Sequence, residues 1–308
     1  MFNTPILFLT FNKLEETKRV FKKIKEIKPS RLYVMSDGPR VGREEDSCIE
    51  TIRSHILSEV DWDCHLKTIF HEENKGCKTA VSGAISDFFV NEEFGIILED
   101  DCLPSNDFFI FMERMLIKFK DDNEVFAVCG YKPMKELPNP NNECYYFSKN
   151  ISFWGWGTWR DRWSKFDYDM KDYPKLLDSG RFRKLFSRYV DFKANKMAFD
   201  QTYNNQNSSW GYRWAYSIIK NQGRVIFPHY NLIVNIGFKS KNATHTKQEL
   251  PHYFSCSHES MPTMFNENYN KDYDVADALY SQKVWRIRVF KDLIKKIPLL
   301  KKVYRFLK

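Results

Sequence analysis

Three consecutive carboxylates, Glu99, Asp100 and Asp101, directly follow the apolar run at residues 95–98. Adjacent like charges at the end of a strand repel one another unless a cation or a cationic ligand offsets them. Mg2+ and Mn2+ prefer oxygen ligands, and Mg2+ usually takes one or two protein carboxylates together with water and substrate phosphates. This acidic triplet therefore predicts a metal–diphosphate site at the carboxyl end of a strand. The alternative interpretation is a solvated acidic turn.

Aromatic residues and glycines are concentrated in the segment 153–159, which reads Phe-Trp-Gly-Trp-Gly-Thr-Trp. Glycines allow tight backbone bends, and flat indole faces suit the CH faces of a sugar ring. Trp154 and Trp156 are therefore candidate contacts to an acceptor or donor sugar, together with Trp210 and Arg213 of a second aromatic motif. The alternative is that these side chains pack in the core, since the second motif has helical spacing.

The elements that position these residues alternate along the first half of the chain. The apolar patterns predict strands at 5–10, 31–36, 64–70, 95–101 and 125–129, and helices at 13–28, 44–58, 78–91 and 106–119. This alternation is typical of an α/β fold with a mostly parallel sheet flanked by helices. In such sheets ligands bind outside the carboxyl ends of the strands. Thr10, Asn12 and Asp37 fall at such ends, as the acidic triplet does.

Length and composition predict one large catalytic domain with an appended segment. The chain has 308 residues, of which 43% are hydrophobic and 16% aromatic, enough for a substantial core. Its seven cysteines are widely spaced without a CxxC pair, which indicates reduced thiols in a cytosolic protein. The N-terminus lacks a basic segment, and no apolar run approaches the roughly 20 residues that span a bilayer. We therefore expect neither a signal peptide nor a membrane span.

Basic residues are concentrated at the C-terminus. Residues 281–308 contain ten Lys or Arg and one acid, a net charge of +9, whereas residues 1–280 carry −1. Apolar residues interleave with these bases in the pattern of an amphipathic helix interrupted at Pro298. Such a helix suits an anionic membrane surface, or it packs on the protein and exposes its lysines to water; the sequence leaves both open. Nucleic acid is excluded as a partner because the body has no basic patch or recognisable motif for it.

Several motifs, in their order along residues 4–247, resemble those of the GT-A glycosyltransferases. The most similar group is the N-acetylglucosaminyltransferase I-like group, which includes bacterial nucleotide-diphospho-sugar transferases. The motifs are PILFLTFNK at 5–13, SDG at 36–38, NKG at 74–76, IILEDD at 96–101, FWGWGTW at 153–159, WGYRW at 210–214, NLIVNIGF at 231–238 and ATHT at 243–246. The resemblance implies a GT-A, Rossmann-like fold in which the acidic triplet holds the sugar nucleotide through a divalent metal.

The resemblance also implies roles for individual donor-site residues. Asp101 binds the metal, Asp100 or Glu99 contacts the sugar–ribose side of the donor, and Asp37 faces the nucleotide base. Lys75, in the motif NKG, is a further expected donor contact, as are Thr10 and Asn12 at the first strand end.

A second group of roles falls in the later part of the chain. His245 is the candidate additional metal ligand, and Asp200 is the candidate catalytic base, with Asp161 and Asp167 behind it. The expected division is a nucleotide-sugar-binding half at 1–130, an acceptor-side half of the same domain at 131–265, and a basic amphipathic tail at 266–308.

These observations predict a glycosyltransferase that requires Mn2+ or Mg2+. It would move a sugar from a nucleotide-diphosphate donor, such as a UDP-sugar, to a hydroxyl of a saccharide or glycolipid in lipopolysaccharide or capsule synthesis. We expect it in the cytoplasm, associated peripherally with the inner face of the cell membrane. One alternative is a non-catalytic, membrane-associated glycan-binding or scaffold protein. A second is a sugar nucleotidyltransferase, which normally has a glycine-rich phosphate loop after the first strand, whereas residues 10–13 contain no glycine.

Overall fold

The computed structural model describes residues 2–238, 251, 254–262 and 274–296, with the side chains of 295 and 296 left out. The strands are β1 (Ile6–Thr10), β2 (Arg31–Ser36), β3 (His65–Phe70), β4 (Phe94–Glu99), β5 (Cys102–Pro104), β6 (Val125–Cys129), β7 (Tyr145–Ser148), β8 (Trp156–Trp159), β9 (Arg224–Pro228) and β10 (Ile233–Asn235). The helices are α1 (Leu14–Ile27), α2 (Asp46–Glu59), α3 (Gly76–Asn91), α4 (Asn106–Lys118), α5 (Arg160–Trp163), α6 (Tyr173–Asp178), α7 (Arg181–Lys184), α8 (Tyr189–Tyr203), α9 (Trp210–Lys220), α10 (Val275–Tyr280) and α11 (Arg286–Lys296), with a π-helical turn at Ser281–Trp285 between the last two.

Eight of the strands form one mostly parallel sheet in the order β3-β2-β1-β4-β8-β6-β9-β7. Strand β1 lies between β2 and β4 and is parallel to both, so the carboxyl ends of all three lie at the same edge. Strand β8 is antiparallel to both of its neighbours, β4 and β6. The predicted α/β class and its mostly parallel sheet are therefore confirmed, and strands from both halves of the chain share this sheet.

Alternating side chains of the central strand enter two separate apolar clusters. Ile6 and Phe8 pack in the cluster on one face, and Leu7 and Leu9 pack in the cluster on the other. This alternation follows from the period of two in a strand, and burial on both faces explains why the run is apolar throughout. A sheet covered on both faces gives the residues at its carboxyl edge a fixed position.

A smaller sheet completes this edge. Strands β5 and β10 are antiparallel, and their register places Asn235 opposite Cys102. The pairing brings residues that are more than 130 positions apart in sequence to within hydrogen-bond distance. One such contact is the hydrogen bond that Asn235 Nδ2 donates to Asp101 Oδ1 at 3.2 Å.

The described part of the C-terminal tail is helical and packs in part on the body, which is one of the two alternatives that the sequence leaves open. Arg288 donates to the hydroxyl of Tyr212 on α9 at 3.1 Å. Asp277 of α10 accepts hydrogen bonds from Ser148 Oγ at 2.5 Å and from Asn150 Nδ2 at 2.8 Å. Pro298 lies outside the described residues. Among the helices that the structure describes, none combines the length and the apolar content that a bilayer crossing requires.

A buried histidine gives the fold a pH-dependent stability. Burial, with the nearby charge of Lys132, lowers the pKa of His229 to about 4. The unfolded chain takes up this proton below about pH 6.5 and the folded chain only near pH 4, so the stabilisation is complete above pH 6.5 and is lost as the pH falls. At 1.36 kcal/mol per pKa unit, the contribution to the free energy of unfolding amounts to about 3 kcal/mol.

We expect His229→Phe to flatten the decline in the free energy of unfolding between pH 6.5 and 4, measured by urea titration. Exposed His65→Phe is the control, and equal slopes for wild type and His229→Phe would contradict the expectation.

Candidate functional site

A cavity of about 430 Å3 opens at the carboxyl edge formed by β1, β2 and β4. Its wall contains Leu9, Thr10, Phe11, Asn12, Lys13, Met35, Asp37, Arg40, Asn74, Gly76, Cys77, Ala80, Val81, Glu99, Asp100, Asp101, Trp154, Ser208 and Asn235. The fold thus brings the acidic triplet together with three other residues predicted at strand ends. Because the cavity holds cationic and anionic side chains beside apolar ones, its lining is typical of a small-molecule site.

A lysine lies between two of the carboxylates. Lys13 Nζ is 2.7 Å from Asp101 Oδ2 and 3.3 Å from Asp100 Oδ1, and all three side chains are largely buried. The backbone N–H of Phe11 donates to the second oxygen of Asp100 at 3.1 Å. The loop between β1 and α1 therefore supplies the positive charge that the acidic triplet requires.

Burial and mutual repulsion shift the protonation of these groups. Burial raises the pKa of Glu99 to about 8, and the charge of Asp101 adds to the shift. Burial also raises the pKa of Asp100 to about 6, although the Lys13 ammonium opposes it. Burial disfavours the ammonium of Lys13, yet the charges of Asp100 and Asp101 raise its pKa above the ordinary value. The site therefore favours a bound cation.

The donor set fits a hard divalent ion. Glu99, Asp101 and Cys102 each offer one ligand atom, and these atoms lie within 4.8 Å of one another. Burial raises the pKa of the Cys102 thiol well above its ordinary value, and Mg2+ and Mn2+ prefer oxygen ligands to sulfur. The carboxylates of Glu99 and Asp101 are the fitting ligands. The predicted additional ligand, His245, lies outside the described residues.

The residues beside Asp101 leave little free space. A Cβ at Gly237 would overlap Asp101 Oδ2, so this close approach requires a glycine. Asn235 Oδ1 in turn accepts from the N–H of Gly237 at 2.9 Å, which fixes the amide that contacts Asp101. Asn235 and Gly237 belong to the motif at 231–238, and Lys13 ends the motif at 5–13, but the sequence patterns assigned no role to any of the three.

Asp37 lies on the cavity wall, but its carboxylate is occupied by the protein. Its two oxygens accept hydrogen bonds from the N–H groups of Gly38 and Lys75 at 3.0 Å, from the N–H of Gly76 at 3.1 Å and from Asn74 Nδ2 at 3.0 Å. These contacts fix the loop that precedes α3 and so place the N-terminus of that helix at the cavity. Asp37 therefore positions this loop, in which Lys75 contributes its backbone N–H, and the expectation that Asp37 faces a nucleotide base stays a prediction.

Thr10 and Asn12 also bind protein groups. Thr10 Oγ1 donates to the carbonyl of Met35 at 3.0 Å, and Asn12 Nδ2 donates to Glu45 Oε1 at 2.8 Å. Arg40 pairs with the same glutamate and lies over the ring of Phe11, 5.2 Å from its centroid. The first strand end thus forms part of the cavity wall, and the loop after β2 adds Arg40, a cationic side chain that the sequence patterns did not single out.

Of the four predicted sugar contacts, only Trp154 lines the cavity. Trp156 and Trp210 are 0% and 4% exposed and stack on each other within the core. The guanidinium of Arg213 is also buried, where it donates to the carbonyls of Tyr168, Ser209 and Thr202. The assignment of Trp156, Trp210 and Arg213 to sugar binding is therefore corrected: helical and strand periodicity turns these side chains inward.

None of the three candidate bases lines the cavity. Asp200 pairs with Lys196 on the helical segment α6–α9 and accepts from the Tyr173 hydroxyl at 2.8 Å. Asp161 pairs with its neighbour Arg162, and Asp167 pairs with Lys220. All three carboxylates are paired with cations outside the cavity, so the prediction of Asp200 as the base, with Asp161 and Asp167 behind it, is corrected. The carboxylates that do line the cavity are Asp37 and the acidic triplet.

Comparison with known proteins gives only distant structural similarities. No family model matches the sequence, and no curated protein matches it. One similar solved structure is a putative glucose-1-phosphate thymidylyltransferase from Bacillus anthracis, with 9% identity, a TM-score of 0.34, and coverage of 53% of this chain and 74% of that one. Another is 4-diphosphocytidyl-2C-methyl-D-erythritol synthase from Anaerococcus prevotii, with 10% identity, a TM-score of 0.34 and coverage of 55% and 76%. HddC from Yersinia pseudotuberculosis has 12% identity, a TM-score of 0.30 and coverage of 56% and 80%. No residue role is transferred from these proteins.

Proposed function

We propose that this chain is a metal-dependent transferase that binds a nucleotide-diphosphate sugar in the carboxylate-edged cavity and moves the sugar to a hydroxyl of a saccharide acceptor. The observation that carries the proposal is the convergence of Lys13 with the acidic triplet at one edge of the sheet, beside a cavity of about 430 Å3. Adjacent buried carboxylates attract cations, and a diphosphate is the anion that links a divalent ion to a nucleotide.

Each part of the cavity has a role in this proposal. A divalent ion held by Asp101 and Glu99 would stabilise the charge that develops on the diphosphate as the glycosidic bond breaks. Lys13 and Arg40 supply positive charge toward the phosphates. The hydrogen bonds from the N–H groups of Lys75 and Gly76 to Asp37 fix the start of α3 at the cavity wall.

Nucleotidyl transfer is the second candidate function. It needs the same nucleotide cavity and the same cation at the phosphates, and it is the activity named for the thymidylyltransferase of the comparison. The loop at residues 10–13 lacks the glycines that usually cradle a triphosphate, which favours sugar transfer. A binding protein without activity is the third possibility.

Two product assays distinguish these functions. In the first, the protein is incubated with a panel of UDP-, GDP- and dTDP-sugars with Mn2+ or Mg2+, and the release of nucleoside diphosphate is measured. In the second, it is incubated with sugar 1-phosphates and nucleoside triphosphates, and the release of pyrophosphate is measured. We expect metal-stimulated release of nucleoside diphosphate. Pyrophosphate release would establish nucleotidyl transfer instead, and the absence of calorimetric UDP binding with Mn2+ would leave only a binding or scaffold role.

We further propose that the C-terminal helix holds the protein at an anionic membrane surface, close to a membrane-anchored acceptor. One face of α11 contacts the body, where Arg288 donates a hydrogen bond to the hydroxyl of Tyr212. The other face exposes Ile287, Phe290 and Leu293 by 39%, 63% and 48%. Exposed apolar residues beside basic ones are the pattern of a helix that lies in a lipid interface.

This proposal predicts the loss of vesicle binding when the exposed apolar residues become polar. The variant replaces all three exposed residues of α11 with serine and leaves the basic residues in place. Because each buried methylene contributes about 0.8 kcal/mol, we expect at least tenfold weaker binding to phosphatidylglycerol vesicles in a sedimentation assay. The control replaces three exposed apolar residues elsewhere, Val90, Ile110 and Ile117, with serine. Equal binding by both variants would contradict the proposal.

A further inference from the structure

A second cavity, of about 240 Å3, lies next to the carboxylate-edged one. Five of its lining residues are aromatic: Tyr131, Trp154, Phe227, Phe254 and Tyr280. Trp154 lines both cavities, so the two spaces are neighbours. We call this second space the aromatic cavity.

The chemistry of the aromatic cavity differs from that of its neighbour. Among the described residues that line it, none carries a charge, and Asn150 and Ser152 supply polar side chains. It therefore does not suit a phosphate or a metal ion. Ring faces combined with a few polar groups suit a neutral ligand that has both CH faces and hydroxyl groups.

The walls of the aromatic cavity are fixed by contacts within the protein. The Tyr131 hydroxyl donates to the carbonyl of Ser255 at 3.0 Å, and its ring packs edge-on against Trp154 with 4.5 Å between centroids. Asn150 Nδ2 donates at 2.8 Å to Asp277, a buried residue of the same helix that provides Tyr280. A wall held in this way binds a ligand without first losing conformational entropy.

We propose that the aromatic cavity binds a pyranose ring of the saccharide acceptor, with Trp154 separating it from the donor. This inference rests on the proposed sugar transfer. In that reaction an acceptor hydroxyl oxygen bonds to the anomeric carbon of the donor sugar, and the bond from that carbon to the diphosphate oxygen breaks. The bonding electron pair leaves with the diphosphate, and the hydroxyl proton is released to solvent. A neutral ring site adjoining the cation site provides the acceptor with its own binding surface.

The test measures glycoside binding separately from nucleotide binding. The probes are methyl glycosides of glucose, galactose and N-acetylglucosamine, with glycerol as the polyol control. Their binding to the full chain is measured by saturation-transfer NMR. We expect the glycosides to bind and Phe254→Ala and Tyr280→Ala to weaken them at least fivefold. Manganese-dependent UDP affinity and donor hydrolysis by water should stay unchanged. Exposed Tyr189→Ala is the matched control.

A second variant covers the case in which the alanine variants fail to fold. Ser152→Phe fills the cavity from its half-buried wall and should abolish glycoside binding while UDP still binds. Glycoside binding that survives in Ser152→Phe, no binding of any glycoside by wild type, or binding of decanoate in place of the glycosides would each overturn the inference. If the wild type did not bind UDP, the proposed function would be refuted instead. The two outcomes are distinguishable because the glycoside titration contains no nucleotide.

Discussion

Replacing Asp101 with Asn is expected to remove metal-dependent turnover of the nucleotide-sugar donor while the fold is retained. The carboxylate is a proposed ligand of the divalent ion, and that ion stabilises the leaving diphosphate by several kcal/mol. At 1.36 kcal/mol per tenfold change in rate, a loss of about 100-fold or more follows. The measurements are the release of nucleoside diphosphate with Mn2+ present and the Mn2+ dependence of UDP binding by calorimetry.

The same substitution should lower the unfolding midpoint less than Lys13→Met does, because Lys13 loses its nearer partner but keeps a second one. An asparagine side chain still offers Oδ1 to the amide of Asn235, and Lys13 keeps Asp100 as its counter-ion. Removing one of three adjacent carboxylates also relieves their mutual repulsion. Asp161→Asn, at a carboxylate outside the cavity, is the matched control and should retain full turnover. Unaltered turnover in the Asp101 variant would defeat the proposed metal role.

Replacing Lys13 with Met is expected to make the stability of the protein depend on a divalent cation. The ammonium is the present counter-ion of Asp100 and Asp101, at 3.3 and 2.7 Å. Removing one partner of a buried ion pair costs about 3–5 kcal/mol, because the remaining charges stay uncompensated. In EDTA the variant should therefore unfold at a clearly lower temperature than wild type.

Added Mn2+ should reverse that loss. An ion that binds only the folded state stabilises it by RT ln(1 + [L]/Kd), and the variant no longer offers an ammonium that competes for the same oxygens. We expect Mn2+ affinity without nucleotide to increase at least tenfold, about 1.4 kcal/mol, measured by calorimetry and by the shift of the unfolding midpoint.

The matched control is Lys132→Met, which breaks the pair between this buried lysine and half-buried Glu259, at 3.3 Å, outside the cavity. It should also lower the midpoint, but without recovery in Mn2+. Equal recovery in the two variants, or none in the Lys13 variant, would show that the Lys13 ammonium and a divalent ion do not share a position.

The sequence predicted the elements of residues 1–130 with little error, except that the short strand β5 (Cys102–Pro104) was not predicted. Strands Arg31–Ser36 and Val125–Cys129 have the predicted bounds, and the other predicted strands and helices of this region differ by a few residues at their ends. In this region short apolar runs alternate with amphipathic segments. Few other folds fit that alternation, because neighbouring parallel strands must be joined by a crossover connection, which is usually a helix. The positions of Asp37 and the acidic triplet at one sheet edge follow from the same rule.

The sequence could not separate aromatic residues that line a cavity from those that fill the core. Trp154 and Trp156 are two positions apart in one glycine-rich motif, yet Trp156 is fully buried in β8 and Trp154 borders both cavities. Strand β8 inserts between β4 and β6, a pairing that no local pattern encodes. The burial of Trp210 and Arg213 likewise depends on how α9 packs against distant elements.

By itself, then, the sequence determined that an acidic triplet ends a buried strand, since strand periodicity and charge are local properties. Only the tertiary structure decided the partners of those carboxylates. Lys13 lies 87 and 88 positions from its two aspartates, and Asn235 lies 134 positions from Asp101. These contacts arise from sheet order and strand register, which depend on how the whole core packs. The same long-range packing places Asp200 outside the candidate site.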